Sequence, residues 1–549
     1  MSRSVFDPRD AMTIRRTMER VIDKKDRSSY CLKCKCELTY KVRRKCLRLE
    51  FCYGGSVKSG RSLTLAAKVP TRQSGNIRFG RVPEHRRTAL VASCAALVMA
   101  TFATFPAGAA PAADQSAACT EPAPGQLAAR QNPEALGFDA AALDEALNFG
   151  QAKGGATIQV YRHGCLAGDR TGTGNLPIPL ASTTKGVASV AVGRAITMGL
   201  FELDDPLRKF FPQADEAHGA LTIRQILTQT TGLHFSWLAE GAGIGTDQIL
   251  QTLSAPVDFP ADTKFQYAQN TLALLPKIIE ITAQSDFQDF VQREVFDPVG
   301  ISRDSWVWLR DRSGNTVVSG GLAMRADDLA RLGRLMLQNG SWNGNHLIDP
   351  AYVHDASQPT DANGGYGFLL WTNVGDTHWP SFSGRSASRI DHPILPGSPR
   401  DTYAFSGALG QLIVVVPSRD MVIVRQGIPV SIDPNNLGAN LVGTGNPDNQ
   451  ELVRKITASV RDLPPVQVDD PYRYNDATGP LFREPADVLY WSDPANVLAI
   501  LLGTGDYADT GCNLLWCNGK PLPEDLANTV VDASAQIAAA VAAIAHGPR

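Results

Sequence analysis

Residues 180–200 read L-A-S-T-T-K-G-V-A-S-V-A-V-G-R-A-I-T-M-G-L. From Thr183 to Leu200 small and apolar residues occupy nearly every position, leaving no face for solvent, so the pattern predicts a mostly buried helix that stops at Gly199. A serine stands at its N-terminal edge and a lysine follows three residues later. Positions i and i+3 share a helix face, which brings the Lys185 ammonium against the Ser182 hydroxyl. Burial disfavours the charged amine and lowers its pKa, suiting Lys185 to accept the Ser182 proton. The helix N-terminus also directs backbone N–H groups at developing negative charge. The alternative is that Ser182 is only an N-cap and Lys185 a solvated side chain.

Working outward, apolar spacing in Ala140, Leu143, Ala146, Leu147 and Phe149 predicts an amphipathic helix. Ala156–Tyr161 reads as a strand, and His163-Gly164 as a turn into a second one. Helical patterns cover Ile223–Leu227, Leu272–Ile281, Phe287–Val295 and Ala326–Gln338. Two β-branched runs, Leu412–Val416 and Met421–Arg425, flank the turn Pro417-Ser418-Arg419-Asp420, and a helix over Glu451–Val460 follows. A strand pair, many helices, a hairpin and a closing helix predict an α/β (α+β) fold.

The formal charge of −2 conceals two unlike parts. Residues 1–88 carry 23 Lys/Arg against 8 Asp/Glu, and the remainder carries 30 against 47. The acidic balance of the remainder argues against a nucleic-acid partner. At the boundary His85-Arg86-Arg87 precedes an apolar run, Ala89–Phe105, followed by A-x-A sites at Ala107-Gly108-Ala109 and Ala110-Pro111-Ala112. This order is that of a secretory signal peptide, expected over 82–113. The run is short for a membrane span, so a membrane enters only if the segment stays uncleaved as an anchor. The protein is accordingly expected to be secreted or periplasmic.

A signal peptide that begins about 80 residues into the chain suggests a true start close to Val82, with 1–81 an over-translated or disordered basic leader. The competing reading is a zinc site formed by C-x-x-C-x-C from Cys31 to Cys36 with Cys46 and Cys52; His is absent and no second C-x-x-C follows. After processing, Cys119, Cys165, Cys512 and Cys517 remain. In an oxidising space they are expected to pair as Cys512–Cys517 and Cys119–Cys165, with free buried thiols the alternative. An Ala/Pro-rich tether covers 114–134, the main domain 135–462 and an extension 463–549. Within the extension Gly503-Thr504-Gly505-Asp506-Tyr507-Ala508 mimics a dinucleotide fingerprint, but Pro521-Leu522-Pro523 leaves no room for the βαβ unit it needs. The sequence contains no H-E-x-x-H, no G-x-x-x-x-G-K-[ST] and no G-x-S-x-G, so neither metal nor cofactor is expected.

Beyond S-x-x-K, an ordered set of segments covers roughly 135–462: G-L-F-E-L-D-D-P (199–206), L-T-I-R-Q-I-L-T-Q-T-T-G-L (221–233), F-Q-Y-A-Q-N (265–270), G-G-L-A-M-R-A-D-D-L-A-R-L-G (320–333) and G-A-L-G-Q-L-I-V-V-V-P (407–417). In these the chain resembles the serine β-lactamase-like hydrolases: class C β-lactamases, D,D-peptidases, related esterases and 6-aminohexanoate-dimer (nylon-oligomer) hydrolases. The resemblance implies a β-lactamase/transpeptidase-like fold, an antiparallel sheet flanked by helices with a helical subdomain. It also implies that Ser182 is the acylated nucleophile, Lys185 its activator, and Tyr267 the tyrosine of Y-x-N that relays a proton to the leaving group. The oxyanion hole would combine the N–H groups of Ser182 and Ala408.

Two departures bear on substrate. Gln269 stands where Y-x-N has Asn, with Asn270 adjacent as a substitute. The K/H-T-G strand motif reads Phe405-Ser406-Gly407, losing the cation that faces substrate carboxylates, which points to less anionic or more apolar acyl groups. A loop over 375–400 with Trp379 and Phe382 either lines the entrance or decorates the surface. The expected function is an exported serine hydrolase acting on a small or oligomeric ester or amide. The alternatives are a β-lactamase or D,D-peptidase, and a non-catalytic wall-binding protein on the same fold. The oligomeric state is not legible.

Overall fold

In the computed structural model the described residues are 35–42, 45–52, 119–467 (apart from 173–174, 235–239, 241–246, 382–388 and 428–442), 485–504, 513, 515–517 and 520–521. The chain divides into two units, Met1–Gly108 and Ala109–Arg549. In the first, β1 (Lys35–Val42) and β2 (Lys45–Cys52) form an antiparallel hairpin that sets Lys41 opposite Cys46. Cys31, Cys34, the apolar run with Cys94, Cys512, Phe382 and the Ala-rich end of the chain lie outside the described residues, as does the side chain of Cys517.

The second unit opens with α1 (Ala140–Ala152), started by the Asp139 carboxylate, which accepts from the Ala142 N–H at 3.0 Å. Then come β3 (Gly155–Arg162) and β4 (Cys165–Thr171). His163 and Gly164 between them both have positive φ, 51° and 75°, as a two-residue hairpin turn demands. After β5 (Ile178–Pro179) comes α2 (Thr183–Thr197). A largely helical stretch follows, including α3 (Leu274–Ala283) and α4 (Phe287–Val291). Next are β6 (Trp306–Trp308), β7 (Leu322–Met324), α5 (Ala326–Leu337) and β8 (Trp371–Thr372). Last in the main domain are β9 (Tyr403–Gly407), β10 (Gln411–Val416), β11 (Met421–Gly427) and α6 (Pro447–Ala458).

The main sheet is six-stranded and antiparallel, in the order β8-β9-β10-β11-β3-β4. Its early strands pair with its late ones, Tyr161 opposite Val422, and the chain between them includes a largely helical stretch and a small sheet, β5-β7-β6. The two β-branched runs alternate strictly. Leu412, Val414, Val416, Met421 and Ile423 pack with Leu143, Leu147, Leu452 and Ile456 of α1 and α6. Ile413, Val415, Val422 and Val424 pack on the other face with the residues of α2 and α5. Burial on both faces explains the unbroken apolar runs Leu412–Val416 and Met421–Val424. The chain thus adopts the expected α/β (α+β) class, an antiparallel sheet flanked by helices.

The helical patterns are found with modified ends. That beginning at Leu272 starts as a 3₁₀ turn, Asn270–Ala273, and that beginning at Phe287 gives way after Val291 to a π turn over Gln292–Phe296. From Cys119 onward the N-terminal segment is strapped to the domain. Cys119 is disulfide-bonded to Cys165, and the Arg331 guanidinium of α5 donates to the carbonyls of Pro122, Ala123 and Gln126.

Candidate active site

The turn that carries Ser182 is strained and heavily tied. Ala181 has φ 47°, unusual for a residue with a side chain, immediately before the helix. The two residues inside S-x-x-K hold this turn in place. Thr183 Oγ1 donates to the Gln411 carbonyl of β10 at 2.8 Å, and Thr184 Oγ1 accepts from the Leu322 N–H of β7 at 3.3 Å. Both threonines are fully buried. The helix start is therefore pinned between the large and small sheets. Ser182 itself makes no side-chain cap bond, so the N-cap alternative does not describe it.

Lys185 is completely buried. Its Nζ donates to Ser182 Oγ at 3.0 Å, to Gln269 Oε1 at 2.6 Å and to the Ser319 carbonyl at 2.6 Å, which uses all its donors. Loss of hydration lowers its pKa to about 7, against an upward pull from Glu240. In the neutral amine, the two acceptors Gln269 and Ser319 hold the two remaining protons, and the lone pair is left facing Ser182 Oγ. Lys185 is thus arranged as a base for Ser182.

Tyr267 is buried, its ring 4.8 Å from Lys185 Nζ and packed among Phe265, Tyr366 and Trp371. Burial raises its pKa, opposed by side-chain hydrogen bonds with Ser182 and Trp371. The phenol consequently stays protonated near neutrality, with its hydroxyl at the Ser182 oxygen. It is both a core aromatic and a site residue.

Gln269 stands in the order of Y-x-N and faces the lysine: its Oε1 accepts from Lys185 Nζ, and its Nε2 donates to the Tyr267 carbonyl at 3.1 Å. Asn270 is not the substitute. Its Nδ2 donates to Gln251 Oε1 at 2.9 Å, away from Lys185; successive residues entering a 3₁₀ turn point in different directions.

The β9 motif differs from expectation. Phe405 does not line a substrate pocket. It is fully buried in the core shared with α2, where a Cβ on Gly186 would stand 2.1 Å from its ring. Ser406, on the opposite face by strand alternation, accepts from the Thr444 N–H at 2.8 Å and is buried there. Gly407 lies beside the Ser182 turn: a Cβ there would lie 2.2 Å from the Leu180 carbonyl and 2.8 Å from the Thr183 nitrogen. Only glycine lets the strand approach the Ser182 turn so closely, and this brings in Ala408 as the next residue. In the 375–400 loop, Trp379 packs against the core that contains Tyr267, and its backbone is held by Asn363.

Gly186→Ala is expected to destabilise the fold by about 1–3 kcal/mol through overpacking. Phe405→Leu in the same chain should recover part of that loss in a double-mutant cycle followed by thermal unfolding. Full additivity of the two changes would contradict the packing described.

Four contributors have no side-chain signature in the sequence. Thr183 and Thr184 look like ordinary members of a buried helix, Ser319 acts through its carbonyl, and Trp371 is distant in the chain. The Gly320-Gly321 pair after Ser319 was the one available signal of a close approach there.

Among curated proteins, esterase EstB of Burkholderia gladioli is 30% identical over 32% of this chain and 54% of its own length. The 6-aminohexanoate-dimer hydrolase of Paenarthrobacter ureafaciens is 22% identical over 32% of this chain and 49% of its own. The chain thus spans about half the length of the curated relatives it matches. A solved structure of a penicillin-binding protein homologue from Caulobacter crescentus is 17% identical, with 60% of this chain and 98% of that one covered at a TM-score of 0.44. The Beta-lactamase family model matches residues 140–426, just over half of the chain, and the chain belongs to the beta-lactamase family.

Proposed function

We propose that the protein is an exported serine hydrolase that cleaves an ester or amide through an acyl-enzyme on Ser182, most like the esterase and 6-aminohexanoate-dimer hydrolase branch. The observation that carries this reading is the buried Lys185 Nζ, 3.0 Å from Ser182 Oγ and fixed by Gln269 and Ser319. In the first half-reaction Ser182 Oγ bonds to the substrate carbonyl carbon as its proton passes to Lys185. The N–H groups of Ser182 and Ala408 receive the carbonyl oxygen's developing charge. The bond to the leaving oxygen or nitrogen then breaks as Tyr267 protonates it, and Lys185 returns the proton to Tyr267. Water repeats the sequence on the acyl-enzyme and releases the acid.

Burial of Phe405 alters the substrate argument. The ring does not select apolar acyl groups; rather, the position offers no charge to a substrate carboxylate, because its side chain is turned into the core. Esters and linear amides without that carboxylate are therefore favoured over β-lactams and peptide stems. EstB, named as an esterase, supports an ester substrate, and 6-aminohexanoate-dimer hydrolase, whose named dimer is a linear amide with a terminal carboxylate, supports the amide alone. The test is a panel of p-nitrophenyl acyl esters, linear amides and nitrocefin on the protein lacking residues 1–113. Short esters or amides should give the higher kcat/KM; a clear preference for nitrocefin would overturn the ranking, and no turnover of any would favour a binding protein.

A further inference from the structure

The extension beyond residue 462 has no role in this scheme, yet part of it lies against the catalytic layer. Its helix α7 (Pro494–Leu502) is started by Asp493, whose carboxylate accepts from the Asn496 N–H. The other Asp493 oxygen lies 2.9 Å from His234 Nε2, and His234 Nδ1 lies 2.8 Å from Asp258. Burial works to lower the His234 pKa, but the hydrogen bonds its ring nitrogens donate to the two aspartates hold it above its ordinary value, which favours a charged link between the layers. On α7, Asn496 and Ile500 are buried, in contrast to the exposed Leu498 and Leu502. The two buried residues close a small cavity whose other walls include His234, Glu240, Gln251 and Asn270.

Glu240 connects this cavity to the active site. Its Oε2 accepts from the backbone N–H groups of both Gln269 and Asn270, each at 2.9 Å. These two donors open the 3₁₀ turn Asn270–Ala273, where no earlier carbonyl of the turn can satisfy them. Gln269 in turn supplies the acceptor 2.6 Å from Lys185 Nζ. A carboxylate is thus held beneath the one side-chain amide that orients the base. We propose that Glu240, covered by α7 of the C-terminal extension, is a positioning residue for Lys185: it fixes the Gln269–Asn270 turn and adds a negative charge behind it.

This proposal rests on the Ser182–Lys185 reading for its catalytic meaning, but its first readout is independent of turnover. Among the described residues, the Glu240 carboxylate pulls the Lys185 pKa upward by its charge, and Tyr267 faces the amine through its ring and stays neutral. The charged groups around Glu240 itself are His234 with Asp258 and Asp493. Removing the Glu240 charge without removing its shape should therefore lower the pH at which Lys185 loses its proton. The experiment is an NMR titration of the full chain labelled at the lysine side-chain ε-carbon, with Lys185→Ala to assign the signal.

Glu240→Gln should move the Lys185 midpoint down by about half a pH unit or more, and Glu240→Asp should restore most of it. Asp493→Ala, which releases α7 and admits water to the cavity, should move it in the same direction by less. Should Glu240→Gln fail to fold, Asp493→Ala carries the test, since a carboxylate opened to solvent must also shift the midpoint. Midpoints equal to wild type in every folded variant would overturn the proposal. Ester hydrolysis measured alongside separates the two claims: kcat should fall in Glu240→Gln with KM little changed. A shifted titration in a protein that hydrolyses nothing would leave Glu240's role standing and remove the proposed function.

Discussion

Ser182→Ala is expected to reduce hydrolysis of a p-nitrophenyl acyl ester to the buffer background, a loss on the order of 10⁴-fold or more. Its size follows from covalent chemistry: without Oγ no acyl-enzyme forms, and the remaining groups only bind and polarise the carbonyl. The fold should survive, because Ser182 makes no capping bond and the turn is held by Thr183, Thr184 and the close approach of Gly407. Unchanged thermal unfolding with lost turnover is therefore the expected pair of results. Turnover retained in Ser182→Ala would mean that another nucleophile acts.

Lys185→Ala should slow acylation by about 10²–10⁴-fold, the usual contribution of a positioned base. The wild-type pH profile gives the more specific signature. In the proposed mechanism acylation requires the neutral amine, and burial lowers the Lys185 pKa to about 7. The rate of acylation should therefore be level above that value and fall roughly tenfold per pH unit below it. The sign is fixed by which form reacts: protonation at low pH removes the lone pair that faces Ser182. Lys185→Ala should abolish this limb as well as the rate. A wild-type profile flat from pH 5 to 9 would contradict the assignment of Lys185 as base.

Elements specified by a single face or run were legible in the sequence. The alternating pair Leu412–Val416 and Met421–Arg425 became β10 and β11 because both its faces are buried. The unbroken small and apolar run after Ser182 became α2, with Lys185 against Ser182 as i, i+3 spacing requires. Tyr267 and Gln269 were found through order alone, and the structure brings both to Lys185.

What failed to be legible depended on direction and on the backbone. Strand alternation says that Phe405 and Ser406 face opposite ways, but not which way the site lies; Phe405 faces Gly186 and Ser406 faces Thr444. Asn270 and Gln269 are equivalent on paper, and the turn sends Asn270 to Gln251. The Ser319 carbonyl and the Glu240 carboxylate act across long stretches of chain, one through the main chain and one on it. Apart from the Gly320-Gly321 pair after Ser319, no residue-type pattern marks either contact.

The most direct test of the acyl-enzyme is to mix wild-type protein with a slowly deacylating p-nitrophenyl ester, quench in acid, and map the adduct by mass spectrometry. Cleavage after Arg170 and Lys185 isolates peptide 171–185, which contains Ser182. The predicted result is one acyl group on Ser182, absent from Ser182→Ala and formed far more slowly in Lys185→Ala. An adduct on any other residue, or hydrolysis with no adduct at all, would contradict it.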